Sequence, residues 1–325
     1  MLVSPVSSPD VGQGAWAAVL GSPVGHSLSP ALHEAAYREL GATVRYRRLE
    51  TPRSELGARL AAAAEPGWRG YSVTMPLKAD AAREVSALTP FAQAVGVVNT
   101  VAAASRGAGG AAQGLLGHNT DVAGIVNALR DLGPADPEPA APAAVIGGGG
   151  TATAAAAALR LMGWEETFVY VRDASRTREL RAAAERLGLR LRMRPLEDCP
   201  AELDGIGTAV CTLPARAFDP HARRLSGDLS GLRLLDVSYD PWPSVLAERA
   251  QQRGARVASG AHMLLHQAVD QVKLFLGLPL DRPLPRQQTV LAAMAAAIGL
   301  PAPVREPVPV HTLDGLTETA PSEDG

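Results

Sequence analysis

Residues 145–152 read VIGGGGTA, four glycines between an apolar run and an alanine-rich one. Gly147, Gly149 and Ala152 fit the G-x-G-x-x-G/A pattern of a strand-to-helix turn that cradles a dinucleotide. Gly147 permits the tight turn. Gly149 lacks the Cβ that would block a pyrophosphate, and Ala152 keeps helix and strand close. The helix opening at Gly150 and Thr151 offers backbone N–H groups and a positive dipole end to phosphates. A lone fingerprint is a weak signal. Here a strand candidate at 143–146 precedes it, a helix runs on to 162, and a second strand candidate follows at 167–171.

The turn after that second strand reads VRDASR over 171–176. Arg172 and Arg176 can grip a ribose 2′-phosphate, which favours NADP. Asp173 can accept from ribose hydroxyls and repel that phosphate, which favours NAD. Two cations against one anion tilt the expectation to NADP, with NAD the alternative.

Elsewhere the chain alternates. Strand candidates fall at 15–20, 45–49, 70–74, 97–103, 206–212 and 232–237, and helix candidates at 30–40, 55–64, 79–85, 122–132 and 262–276. Such alternation predicts parallel-rich sheets with helices on their faces. In the last helix Leu264, Leu265, Ala268, Val272 and Phe275 form an apolar stripe. The proline-dense stretch 133–142 reads as a linker, and residues 1–13 and 301–325 as disordered tails.

Charge and cysteine usage narrow the partners. The 325 residues carry a formal net charge of −2, and no basic module stands out, so no nucleic-acid partner is expected. No apolar run reaches the roughly 18 residues that a membrane helix needs. No Lys or Arg precedes Arg38, where a secretory signal would carry a basic start. Cys199 and Cys211 have no metal-ligand spacing and read as packing residues in a reducing cytoplasm.

Four segments remain: GHSLSP at 25–30, SVTMPLK at 72–78, GVVNT at 96–100 and GHNTDVAG at 117–124. Each sits at a strand end, where α/β folds gather ligand groups. Singly, each has a plain reading. Ser29 before Pro30 and Asp121 before Val122 make N-caps. Lys78 is a surface lysine, Asn99 a turn residue, and Val73 and Met75 are packing.

Together they resemble the shikimate dehydrogenase family. The resemblance rests on S-x-S at Ser27 to Ser29, V-T-x-P-x-K ending at Lys78, and the pair Asn99-Thr100. It continues with G-x-N-T-D-x-x-G from Gly117, G-x-G-G from Gly147, D-x-x-Y-x-P from Asp236 and G-x-x-M-L-x-x-Q from Gly260. The order holds from about residue 18 to 278. It implies a two-domain α/β fold. A mixed-sheet catalytic domain would span 14–119 plus 259–298, a Rossmann-type domain 120–258, and the active site the cleft between them. It implies reversible NADPH-dependent reduction of 3-dehydroshikimate to shikimate, on the way to chorismate and aromatic amino acids, by a cytoplasmic monomer or homodimer.

The resemblance also assigns roles. Lys78 and Asp121 would act at the reacting oxygen. Ser27 and Ser29 would hold the substrate carboxylate, Thr74, Asn99 and Gln267 the ring hydroxyls, and Tyr239 would help close the pocket. Arg172, Asp173, Arg176, Thr212, Gly260 and Met263 would join the glycine loop around the cofactor. The chemistry is consistent. Ketone reduction puts negative charge on oxygen, which an ammonium can stabilise and protonate. A neighbouring carboxylate keeps that ammonium charged, and hydride from a nicotinamide makes a metal unnecessary.

Departures are Ser72, where Asn is commoner, and Asp173, where Thr is commoner. Asp173 resembles NAD-using quinate/shikimate dehydrogenases. The segment CTLPA at 211–215 also departs from the family's usual sequence. The alternatives are such a quinate-active or aminoshikimate-type enzyme, or a non-catalytic ligand-sensing regulator. Ser29 favours shikimate over quinate, and retention of both Lys78 and Asp121 favours an enzyme.

Overall fold

The computed structural model describes residues 14–65, 67–106, 112–133, 141–303 and 305–312. The chain divides into two compact units. One holds the described residues to Ala92, Val97–Asn119 and Ala268–Ala302; the other holds Gln93–Gly96, Thr120–Gln267 and the chain from Pro303.

Up to residue 119 the elements are β1 (Ala15–Gly21), α1 (Ser29–Leu40), β2 (Val44–Glu50), α2 (Leu56–Ala61), β3 (Trp68–Val73), α3 (Lys78–Glu84), β4 (Ala87–Leu88), α4 (Pro90–Val95), β5 (Thr100–Arg106) and β6 (Ala112–His118). The strands form one mixed sheet in the order β2-β1-β3-β5-β6-β4. β1 runs parallel to β2 and β3, and β5 antiparallel to β3 and β6. The apolar run at 15–20 becomes a central strand buried from Trp16 onward. It packs on Leu56, Trp68 and Tyr71 in the core of this unit. Leu20 pairs with Val73, Ser72 with Thr100, and Thr100 with His118. That register puts the carboxyl ends of β1, β3 and β6 and the amino end of β5 at one edge.

The second unit runs through α5 (Asp121–Asp131), β7 (Ala143–Ile146), α6 (Gly150–Leu161), β8 (Glu166–Val171), α7 (Arg178–Arg186), β9 (Arg190–Pro195), α8 (Cys199–Glu202), β10 (Thr208–Cys211), α9 (Asp219–Ala222), β11 (Arg233–Asp236), α10 (Val245–Gln251) and β12 (Arg256–Ser259). Its sheet is parallel throughout, in the order β12-β11-β10-β7-β8-β9. This is the doubly wound arrangement, and its ligand edge is the carboxyl ends of the strands. Central β7 and β10 are fully buried. Cys199 and Cys211 sit in the core of this unit, where burial pushes both thiols well above their ordinary pKa. α11 (Gly260–Leu276) begins in this unit and ends in the first, and α12 (Gln287–Ala297) follows.

Several expectations change. The helix expected at 55–64 is α-helical only over Leu56–Ala61, with 3-10 turns at either end. α11 is not striped: every position from 265 to 273 is buried, including an Asp270–Lys273 ion pair of 3.1 Å. A helix covered all round has no need of an amphipathic pattern. Of the expected linker, 134–140 lie outside the described residues, as do both 1–13 and 313–325. Within the expected loose tail, Val308 is tied to Asn127. The Val308 amide donates to Asn127 Oδ1 at 2.8 Å, and Asn127 Nδ2 donates to the Val308 carbonyl at 3.1 Å. Among the described residues no helix is long and apolar enough to cross a membrane.

Candidate active site

In the first unit the candidate residues gather at the shared sheet edge. Gly21 closes β1, and a Cβ there would stand 2.4 Å from Thr74 Cγ2, so its bareness seats Thr74. The Thr74 amide donates to Leu20 O at 2.9 Å. Lys78 opens α3 and its carbonyl accepts from Val98 N at 3.2 Å, which ties it to the segment before Asn99. Asn99 is buried, and its carbonyl accepts from Val73 N at 2.7 Å. Ser27 is half-buried. Its carbonyl accepts from Arg48 Nε and Nη2 at 2.9 and 2.6 Å, and its hydroxyl from Ser29 N at 3.3 Å. Val73 is buried as expected, but Met75 is 59% exposed and packs into no core.

Ser29 and Asp121 do not stand as N-caps. Each is the first helical residue, with Leu28 and Thr120 in the cap positions. α1, α3, α5 and α6 open on Ser29, Lys78, Asp121 and Gly150, and none has a hydrogen bond from its cap side chain. α10, away from the motifs, is capped by Ser244, which accepts from Ala247 N.

In the second unit the glycine loop behaves position by position. Gly147 has φ +119°, reserved for glycine, and a Cβ there would meet Thr212 Oγ1 at 2.4 Å. At Gly148 a Cβ would meet Thr177 Cγ2 at 2.8 Å. At Gly149 it would meet nothing within 4 Å. Protein thus fills the space at the first two glycines and leaves it open at the third. Gly149 directly precedes the first turn of α6, whose N–H groups have no intrahelical partner. The loop fits a phosphate group.

Arg172, Asp173 and Arg176 are exposed after β8. Asp173 Oδ1 accepts from Ser175 N at 2.9 Å and Ser175 Oγ at 2.6 Å. These bonds hold its carboxyl below the usual carboxylate range. Asp173 therefore braces its own turn while its charge stays exposed beside the two arginines.

Asp121 is buried at the start of α5. Beside it in sequence, Thr120 Oγ1 donates to Gln267 Oε1 at 3.1 Å. Gly124 admits α11: a Cβ there would lie 2.6 Å from Met263 O and 2.9 Å from Gln267 Cβ. Gly260 lies against Val237, whose carbonyl a Cβ would strike at 1.9 Å. Asp236 holds the loop that carries Tyr239, accepting from Ser238 N at 3.1 Å and Ser244 Oγ at 2.5 Å.

The N-terminal part, residues 19–101, matches the family model described as the shikimate dehydrogenase substrate binding domain. A shikimate dehydrogenase (NADP(+)) of Rubrobacter xylanophilus is 34% identical over 274 residues, covering 83% of this chain and 93% of the relative. The chain belongs to the shikimate dehydrogenase family. A crystal structure of the Mycobacterium tuberculosis shikimate dehydrogenase matches with TM-score 0.73 and 36% identity, over 87% of this chain and 99% of that one. A shikimate 5-dehydrogenase from Thermus thermophilus, solved in complex with NADP(H) and shikimate, matches with TM-score 0.69 and 32% identity, over 87% and 99%.

Within this family's motifs, the first unit gathers Ser27, Ser29, Thr74, Lys78 and Asn99. The second gathers Asp121, Tyr239, Gly260, Met263 and Gln267 with the glycine loop, Thr212 and the arginine turn. Sequence reasoning missed a buried polar group beneath the first set: His33, Tyr46, Ser72 and Gln271. The one available signal was Gln271, four residues after Gln267 and thus on a neighbouring helical position.

Proposed function

We propose that this chain reduces 3-dehydroshikimate to shikimate with NADPH, reversibly, as a cytoplasmic monomer or homodimer. The observation that carries the reading is the placement of the motif residues. In the first unit they emerge at one sheet edge and include an alkyl ammonium and paired hydroxyls; the second unit adds a buried carboxylate at the start of α5 and a glycine cradle open at Gly149.

The roles follow from chemistry. Ser27 and Ser29 hold the substrate carboxylate, and Thr74, Asn99 and Gln267 hydrogen-bond the ring hydroxyls. Lys78 donates a proton from Nζ to the ketone oxygen and regains it from solvent. Asp121 accepts a hydrogen bond from a substrate hydroxyl. Tyr239, on the loop braced by Asp236, limits water at the reacting carbon. Backbone N–H groups of Gly150 and Thr151 bind the pyrophosphate, Arg172 and Arg176 the 2′-phosphate, and Thr212, Gly260 and Met263 flank the nicotinamide end. When bound, the nicotinamide supplies the hydride that makes the ketone carbon a secondary alcohol. Capture of Asp173 by Ser175 favours NADP over NAD.

The test is a four-way initial-rate comparison of shikimate and quinate, each with NADP and NAD. The expected order has shikimate with NADP fastest. A faster rate for quinate with NAD would replace this reading by the quinate-active alternative.

A further inference from the structure

The edge strand β2 turns one face towards the segment that carries both candidate serines. Alternate residues share a face of a strand, and Tyr46, Arg48 and Glu50 each reach that segment. Glu50 Oε2 accepts from Val24 N at 3.0 Å. Arg48 Nε and Nη2 donate to Ser27 O at 2.9 and 2.6 Å. The Tyr46 phenol interacts with the Ser29 side chain and donates to Ser72 Oγ at 2.6 Å. Residues 22–28 belong to no helix or strand, and these side chains hold the segment at three points. Leu49, on the opposite face of β2, packs against the core of the unit. A slip of one residue would therefore bury the charged face, so the register is firmly set.

Arg48 carries the chemistry of this face. It is exposed, and among the described residues it makes no ion pair, although Glu50 stands two positions along. Two charge-assisted hydrogen bonds from a planar guanidinium fix the Ser27 carbonyl in distance and direction. The Ser27 hydroxyl in turn accepts from Ser29 N at 3.3 Å, so fixing Ser27 fixes the pair. The two serines are neutral, whereas the group proposed to dock on them is a carboxylate. We propose that Arg48 is a positioning residue for that carboxylate: it holds Ser27 by the carbonyl and brings positive charge to the serine pair. This rests on the reading that Ser27 and Ser29 take the carboxylate. Glu50 opposes Arg48 in charge, but it bonds Val24, three residues before Ser27, while Arg48 bonds Ser27 itself.

The experiment measures the KM of shikimate, the inhibition constant of its primary amide against shikimate, the NADP KM, kcat and the melting temperature. The amide keeps the shape of the acid without its charge. Ser27→Ala tests the underlying reading: an unchanged shikimate KM would take the serine out of the carboxylate site, whatever Arg48 does. Arg48→Met keeps an aliphatic stem and removes the hydrogen bonds and the charge. It should raise the shikimate KM about tenfold, the cost of one lost charge-assisted hydrogen bond. The inhibition constant of the amide should rise no more than about threefold, because it has no charge to lose contact with. The NADP KM and kcat should stay within about twofold, since the carboxylate is bound alike in ground and transition states.

Arg48→Lys keeps the charge and can still donate to Ser27 O, and it should recover most of the loss. Glu50→Gln removes a negative charge from the same face and keeps an acceptor for Val24 N; it should lower the shikimate KM about twofold. An unchanged shikimate KM in Arg48→Met, with Ser27→Ala impaired, would overturn this proposal and leave the reading beneath it standing. Equal losses for acid and amide would reduce Arg48 to a brace of the fold and overturn the proposal as well, as would a raised KM in Glu50→Gln. Should Arg48→Met fail to fold, Arg48→Gln, which keeps a donor for Ser27 O without the charge, gives the same comparison of acid against amide and is judged by the same outcomes.

Discussion

The two units prepare their ligand edges by opposite means. In the first, polar side chains are fixed from behind. Asn99 lies on Thr100, Thr100 on Gln271, and Gln271 on Ser72 and His33, all of them buried. In the second, around the glycine loop, side chains are missing where a phosphate would lie. Gly147 has a backbone only glycine tolerates, Gly149 faces open space, and the charged groups beside the loop, Arg172 and Arg176, are exposed. A cradle of fixed donors and acceptors suits a small, densely hydroxylated acid, since a buried polar group left unpaired is costly and so rejects a misfit. A cradle of backbone suits phosphate, which needs N–H groups and charge more than shape.

The largest test of this contrast is Lys78, the one full charge proposed to act on the reacting oxygen in the first unit. Lys78→Ala should lower kcat by about a thousandfold, within the range for a lost proton donor. The shikimate KM should change only a few-fold, because the charge it stabilises develops in the transition state. Turnover near that of the parent would remove the ammonium from the mechanism. Gly149→Ala comes next and addresses the second unit. Its φ of −90° and ψ of −169° suit any residue, and no protein atom stands in the way. The variant should melt like the parent, yet its NADP KM should rise about a hundredfold, because the methyl group occupies the phosphate's space. A parent-like NADP KM would show that the open side is not the cofactor's.

The contrast also explains what could be read from sequence. The glycine loop was legible because its signal is local: four adjacent residues, a strand before and a helix after. The central strands were legible from apolar runs. β9 was not. Its Arg190, Arg192 and Arg194 alternate along an edge strand, with Arg192 Nε 2.9 Å from Glu166, so it reads as a charged segment. Such charges keep an open sheet edge from pairing with another chain. The network beneath Asn99 was illegible for a different reason. His33 and Gln271 lie 238 residues apart in sequence, and only the fold brings them to hydrogen-bonding distance. The two expected helix caps failed in an informative way. Ser29 and Asp121 have the right residue types for caps, but each stands one position inside its helix.

If the first unit's cradle relies on a neutral His33, its stability must depend on pH with a defined sign. In the unfolded chain this imidazole titrates near 6.5; in the fold, burial holds it at about 3. Between those values the unfolded chain binds the proton and the folded one does not. His33 therefore lowers stability as pH falls through that window, by ~1.4 kcal/mol per unit. From pH 7 to pH 5 the loss is about 2 kcal/mol. Urea unfolding of the parent and of His33→Phe at both values isolates it from the carboxylates. The parent should lose about 2 kcal/mol more than the variant, whatever their starting stabilities, and equal losses would mean that the ring titrates normally in the fold.

The smallest effect is expected where the second unit's charges meet solvent. Asp173 is the feature that pointed towards NAD, but both its hydrogen bonds go to Ser175 within its own turn. Its negative charge still lies near the arginines proposed to bind the 2′-phosphate. Interactions between exposed charges are worth at most about 1 kcal/mol. Asp173→Thr should therefore raise the ratio of kcat/KM for NADP over NAD by about fivefold, and less at high salt. A change of a hundredfold would require direct contact between Asp173 and the ribose, and with it a selective pocket built from buried side chains. The second unit would then resemble the first, and the contrast between the two cradles would fail at that point.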